Sequence, residues 1–231
     1  MIYFEKSQPA PECLAKEKLK ASGSYKCGEV VSRLKADFKN KCYICEEKEI
    51  SSINVEHFIP HQGNSDLKFD WNNLFFACGH CNNTKLVEFV DILDCTKTSG
   101  VETKIKYEFF NSAFPKEQVI ITSLDSSSTK NLNTVELLRL VYGGRTAIKI
   151  DESANFRNKI SKEIRKFSDL LRLYFSNDGR FDESEKEKIK LKIKENLSNS
   201  SSFTAFKRWM IRNNPFLMQD FGSCLSDTES P

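Results

Sequence analysis

The segment from Cys42 to Lys85 contains the most informative sequence pattern of this chain. It opens with Cys42-Tyr43-Ile44-Cys45 and closes with Cys78-Gly79-His80-Cys81-Asn82-Asn83-Thr84-Lys85. Two Cys-x-x-Cys pairs can surround one tetrahedral Zn²⁺ with four thiolates, and closing the chain between them folds the segment around the ion. The spacing therefore predicts a structural zinc site made by Cys42, Cys45, Cys78 and Cys81. A zinc site by itself indicates no catalysis, so a module that only binds nucleic acid or a protein partner stays open at this point.

The chain between the two pairs carries a second set of ordered features. It contains Val55-Glu56-His57-Phe58-Ile59-Pro60-His61 and, later, Asp70-Trp71-Asn72-Asn73-Leu74. An acid–His pair in an apolar strand, a central Asn-Leu and a Cys-x-x-Cys-Asn sequence entering a helix resemble the motif of the HNH endonucleases. The resemblance implies a ββα-metal fold, with a strand over 53–57, a second segment over 74–77 and a helix over 81–87.

The same resemblance implies a phosphodiester hydrolase and assigns catalytic residues. A neutral imidazole with a pKa near ~6.5 suits the activation of water at neutral pH, so His57 is predicted to be the general base. Glu56 and Asn82 are predicted to bind the catalytic divalent ion, Mg²⁺ or Mn²⁺. Most HNH motifs have Asp where Glu56 stands, and many have His where Asn82 stands. Asn73 is predicted to tie the loop backbone together and so to orient the base.

Three further residues of this stretch have open roles. Lys85, one turn beyond Asn82, and His61 are predicted to contact the substrate phosphate. A solvated surface lysine and an exposed loop histidine are the alternatives. His80 lies between two cysteines of a knuckle, where side chains commonly point outwards, and its role is left open.

Composition limits the other possibilities. The 231 residues carry a net charge of only +3, yet residues 152–212 hold 15 Lys and Arg against 9 Asp and Glu. This local excess of 15 − 9 = +6 could face a phosphate backbone or form solvated helix faces. No run of about 18 apolar residues suggests a membrane span, and the first residues do not resemble a signal peptide, so a cytoplasmic protein is expected. The cysteines outside the two pairs show no ligand spacing, and we expect them to be free thiols: Cys13, Cys27, Cys95 and Cys224.

Hydrophobic patterns predict a mainly helical chain outside this segment. With the zinc-stapled ββα-metal core that the HNH resemblance implies embedded in it, the expected class is α+β. We predict an N-terminal helical arm (1–40), the core (41–98), a mostly helical region for docking a partner or nucleic acid (99–219) and a flexible tail (220–231). Helices are expected at 12–20, 29–39, 134–142, 152–176, 183–198 and 203–212, and strands at 105–110 and 119–121.

A wider resemblance involves the flanks of the core. The opening Met-Ile-Tyr-Phe-Glu-Lys, the pair Asp37-Phe38 and the late Phe206-Lys207-Arg208-Trp209 are similar to HNH proteins encoded beside an ABC/SMC-like ATPase in Septu and some retron antiphage defence systems. This resemblance implies an ATPase partner of the PtuA type and a nucleic-acid substrate, with DNA favoured. A free-standing restriction or mobile-element nuclease is an alternative.

Overall fold

The computed structural model describes residues 1–110, 118–176 and 182–225. Two antiparallel hairpins lie among a larger number of helices. The strands are β1 (Ile53–His57), β2 (Leu74–Cys78), β3 (Ile105–Phe110) and β4 (Gln118–Ser123). The helices are α1 (Glu12–Lys18), α2 (Gly28–Asp37), α3 (Ser65–Phe69), α4 (Gly79–Lys85), α5 (Thr129–Gly143), α6 (Ala147–Tyr174), α7 (Glu183–Leu197), α8 (Thr204–Arg212) and α9 (Pro215–Phe221).

The ββα unit predicted from the sequence is present. Strand β1 pairs with β2 so that Ile53 lies opposite Cys78 and His57 opposite Leu74, and α4 follows β2 directly and packs against both strands. All five residues of β2 are buried, because α2 covers the strand in addition to α4. The predicted α+β class, with a ββα core in a mainly helical chain, is confirmed. Helix α4 begins at Gly79, two residues before the predicted start.

The N-terminal arm packs into the same hydrophobic core as the ββα unit. Phe4 and Leu34 are buried with Phe75 of β2 in one continuous cluster. A disulfide joins Cys13 of α1 to Cys27, the residue before α2. The prediction of free thiols was therefore wrong for these two cysteines, because the turn between the helices brings together residues whose spacing has no recognisable ligand pattern. Cys95 is a buried free thiol and Cys224 a partly exposed one.

Helix α8 carries buried cations rather than a basic surface. Lys207 and Arg208 are at most 1% exposed. The guanidinium of Arg208 lies 2.9 Å from the Glu102 carboxylate and donates to the Leu197 carbonyl and to the Asn199 side chain. These two residues of the basic C-terminal excess are thus held in the interior, and they form no part of a surface for nucleic acid.

Several element bounds differ from the sequence-based expectation. Helix α5 begins five residues early, at Thr129, where the Ser128 side chain caps it. The structure also contains two short helices that the pattern did not predict, α3 and α9, each capped by an Asn side chain. The predicted flexible tail from 220 is helical up to Leu225, with Phe221 and Leu225 buried, and its remaining residues lie outside the described part. Among the described helices, none combines the length and apolar character that crossing a bilayer requires.

Candidate active site

The four cysteines of the two pairs meet at one point. Their sulfur atoms all lie within 4.8 Å of one another, and those of Cys45 and Cys78 are 3.9 Å apart. Tetrahedral Zn²⁺ with bonds of ~2.3 Å requires sulfur separations of about 3.8 Å. All four side chains are buried, and burial raises the pKa of the Cys45 and Cys81 thiols well above the usual value. A bound cation would offset that effect by stabilising thiolates, so the geometry and the donor set are suited to zinc.

His57, at the end of β1, is half-buried and held by one hydrogen bond. Its Nε2 lies 3.0 Å from the carbonyl oxygen of Lys68 in α3. A carbonyl oxygen only accepts, so Nε2 carries the proton and the neutral ring presents Nδ1 as a base. Burial, together with the nearby charges of Lys26 and Lys68, lowers the pKa of His57, although the hydrogen bond to Lys68 opposes this. The neutral imidazole is therefore favoured at this position.

Asn73 holds the loop that follows His57. Its Oδ1 accepts from the Ile59 amide at 2.7 Å, and its Nδ2 donates to the carbonyls of Ile59 and Leu67 at 2.8 and 3.0 Å. The side chain is 4% exposed. Through these contacts Asn73 joins the backbone of Ile59, just after β1, to that of Leu67 in α3, and its effect on catalysis stays a prediction.

Glu56 points into the interior. One carboxylate oxygen pairs with Lys85 Nζ at 2.7 Å, and the other accepts from the Tyr43 hydroxyl at 2.7 Å. Adjacent residues of a strand project to opposite faces, so Glu56 faces α4 while His57 faces α3. Burial raises the pKa of Glu56, opposed by its contacts with Lys85 and Tyr43. Glu56 was predicted to bind the catalytic divalent ion. In this arrangement both of its carboxylate oxygens are engaged by Lys85 and Tyr43 instead.

Lys85 differs most from its predicted role. Its side chain is fully buried, and besides Glu56 its ammonium contacts the Phe58 carbonyl at 2.9 Å. A buried ammonium that already has a carboxylate partner cannot meet a substrate phosphate. The prediction of a phosphate contact by Lys85 is corrected on this ground.

Comparison with known proteins agrees with this geometry. Residues 42–87 match the family model of the HNH endonucleases. This segment is an HNH domain. A stretch of 49 residues is also 39% identical to the Septu protein PtuB of Bacillus thuringiensis. The alignment covers 20% of this chain and only 19% of that protein, so most of both chains lies outside the similarity.

His61, Asn82 and His80 are the remaining residues of this segment that the sequence analysis considered. The centroid of the His61 ring lies 4.7 Å from that of the His57 ring, so the structure brings the two histidines together. Asn82 lies half-buried on α4, the helix that Glu56 faces. His80 does not point outwards: it contacts the Glu152 carboxylate at 2.7 Å and the Val141 carbonyl at 2.9 Å, and so joins the second knuckle to α5 and α6.

Tyr25 contacts His57 and was not identified from the sequence as a candidate site residue. Tyr25, between α1 and α2, has its ring centroid 4.4 Å from that of His57. It lies outside the matched segment, and no motif marks it. Its proximity depends on a long-range contact between the N-terminal arm and the HNH domain.

Proposed function

We propose that this protein is a nuclease that hydrolyses phosphodiester bonds in nucleic acid, with DNA the favoured substrate. The observation that carries the proposal is the position of His57 in the HNH domain. Its Nε2–H is held by the Lys68 carbonyl, and Nδ1 is left as the basic nitrogen, while Asn73 ties together the backbone of the loop that follows His57. A scaffold that only binds zinc needs the four cysteines and has no use for this arrangement.

The chemical step follows from that tautomer. Nδ1 of His57 takes a proton from a water molecule as the water oxygen attacks phosphorus, and the P–O bond to the departing sugar oxygen breaks. The departing sugar oxygen takes a proton from solvent water, and the imidazolium releases its proton to solvent, which restores neutral His57. His61, whose ring lies beside that of His57, is the side chain we propose to contact the scissile phosphate.

The HNH domain also implies a divalent ion, Mg²⁺ or Mn²⁺, whose chemistry when bound would be charge stabilisation at the phosphate. The predicted donors do not fit it in the present arrangement, since both oxygens of Glu56 are engaged by Lys85 and Tyr43. Asn82 alone would offer a single neutral oxygen. We therefore propose dependence on an added divalent ion from the family of the domain and assign no step to it.

We further propose that the nuclease acts in the cytoplasm, in antiphage defence, with an ABC/SMC-like ATPase of the PtuA type as partner. The similarity to the Septu protein PtuB supports a defence role, and the resemblance of the flanking sequence to HNH proteins of such systems is the ground for proposing the ATPase partner. Two alternatives make different predictions. A free-standing restriction or mobile-element nuclease would cut without any partner, and a non-catalytic zinc module would bind nucleic acid without cutting it.

A substrate panel tests the proposal. Supercoiled plasmid, single-stranded DNA and RNA are incubated with the purified chain, alone and with the proposed ATPase partner, in EDTA, Mg²⁺ or Mn²⁺. We expect metal-dependent cleavage, with DNA cut faster than RNA. Binding without cleavage by a folded, zinc-loaded chain under all these conditions would contradict the nuclease and favour the zinc module.

A further inference from the structure

The loop between α1 and α2 lies against His57, the proposed general base in the HNH domain. The ring of Tyr25 meets that of His57 edge-on, with centroids 4.4 Å apart and planes at 66°. The ring of His61 also contacts that of His57, 4.7 Å away at 60°. Such tilted pairs are the arrangement that aromatic rings prefer. The imidazole of His57 is thus in contact with two rings, one from the domain itself and one from the N-terminal arm.

One residue links this loop to the hydrogen bond on the base. The backbone carbonyl of Lys68 accepts from His57 Nε2 at 3.0 Å, while the side-chain ammonium of Lys68 donates to the Gly23 carbonyl at 3.0 Å. Lys68 therefore holds both the ring and the loop that delivers Tyr25. The hydrogen bond of His57 and its contact with Tyr25 therefore both depend on Lys68 of α3.

The loop is further fixed on both sides of Tyr25. The Ser24 amide donates to the Glu17 carboxylate at 2.8 Å. Gly23 packs so tightly that an added Cβ would lie 1.8 Å from the Glu17 carbonyl oxygen. Cys27, two residues after Tyr25, is bonded to Cys13. These contacts fix the position of Tyr25 beside His57.

We propose that Tyr25 is a positioning residue of the nuclease site. An imidazole with a single hydrogen bond can still tilt about that bond, and contact with the Tyr25 ring removes this freedom and fixes the direction of Nδ1. Small errors in the position of a base have large effects on rate. This inference rests on the proposed function and deepens it, because it places part of the catalytic site in the N-terminal arm, outside the matched HNH segment.

The test compares Tyr25→Phe, which keeps the ring, with Tyr25→Leu, which keeps apolar volume without a ring. We expect kcat for DNA cleavage to fall about 10-fold in the leucine variant with KM nearly unchanged, and to be rescued in the phenylalanine variant. Ser22→Ala, an exposed position of the same loop, is the matched control and should cut like the wild type. Equal melting temperatures would show that folding is not the cause.

A spectroscopic readout separates this inference from the nuclease proposal. The ring protons of His57 should show the same ring-current shift in NMR spectra of the wild type and of Tyr25→Phe, and a smaller one in Tyr25→Leu, where only the His61 ring remains in contact. If the shift is unchanged in the leucine variant, or is reduced while kcat stays at the wild-type value, the positioning role is wrong. A wild type that shows the shift but never cleaves contradicts the proposed function instead, and with it the positioning role of Tyr25.

Discussion

At the scale of single residues, the proposed role of His57 as general base predicts a pH dependence of cleavage. A base must be neutral, and burial with nearby cations lowers the pKa of this imidazole. A lowered pKa keeps the ring neutral to a more acidic pH, so the acid limb of kcat/KM should have its midpoint below about 6.5. Cleavage rates measured between about pH 5 and 8 test this expectation. A midpoint clearly above the ordinary histidine value would contradict it.

Lys85 gives a second prediction at this scale. Replacing Lys85 with Ala leaves the Glu56 carboxylate buried without its cation, and such a change costs about 3–5 kcal/mol of the free energy of unfolding. Urea unfolding measures the loss, and Lys97→Ala, which removes a lysine that is 71% exposed, is the control. Full stability combined with weaker DNA binding would instead restore the phosphate contact first predicted for Lys85.

The sequence identified the residue types of the site more reliably than their directions. Glu56 and His57 are adjacent in a strand, and adjacent side chains project to opposite faces. This rule was sufficient to place the two residues on opposite faces, but the motif resemblance predicted Glu56 as a ligand of the divalent ion and His57 as the base of the same site. The burial of Lys85 could not be predicted in this way, because a lysine at the end of a short helix is usually solvated.

At the scale of elements, the two cysteine knuckles hold β2 and α4 in place. Replacing Cys78 with Ser should remove zinc from the purified protein and lower its melting temperature, because metal binding and folding of such a segment are coupled. Zinc content by mass spectrometry and thermal unfolding measure both effects. Cys95→Ser, at a buried free thiol outside the cluster, should keep its zinc. A Cys78→Ser protein with full zinc content would contradict the four-thiolate site.

Short elements were the hardest to predict from the sequence. Helices α3 and α9 span only five and seven residues, too short for a hydrophobic period to appear. Their Asn caps, and the proline that follows Asn214, were signals that were present and not used. The strand 53–57 was predicted with its observed bounds because its motif and its apolar character agree.

At the scale of the whole molecule, buried ion pairs join the C-terminal helices to the rest of the chain. Arg208 in α8 pairs with Glu102, and the buried Glu46 accepts from the amide of Ala205. Arg208→Ala should lower the free energy of unfolding by about 3–5 kcal/mol, because Glu102 keeps only Arg212 as a cation and the buried Leu197 carbonyl and Asn199 side chain lose their donor. Arg172→Ala, at a pair in which the arginine is 80% exposed, should cost under about 1 kcal/mol. Equal unfolding free energies for the two variants would show that the buried pair does not support the fold.

These long-range contacts are the part of the structure that the sequence alone did not indicate. Composition suggested a basic C-terminal surface, yet Lys207 and Arg208 are interior. The contact of Tyr25 with His57 and the Cys13–Cys27 bond likewise depend on how distant segments meet. Spacing within one motif predicts local geometry, whereas contacts between separate segments require the assembled chain.

The central claim is that His57 is the base of a nuclease. The most direct measurement is the single-turnover rate of DNA cleavage by wild type and His57→Ala, at equal zinc content and with the proposed ATPase present if the chain requires it. We expect the variant to lose about 10²–10⁴-fold in rate, the range for a general base, with unchanged stability and DNA binding. Cleavage by His57→Ala at the wild-type rate would contradict it.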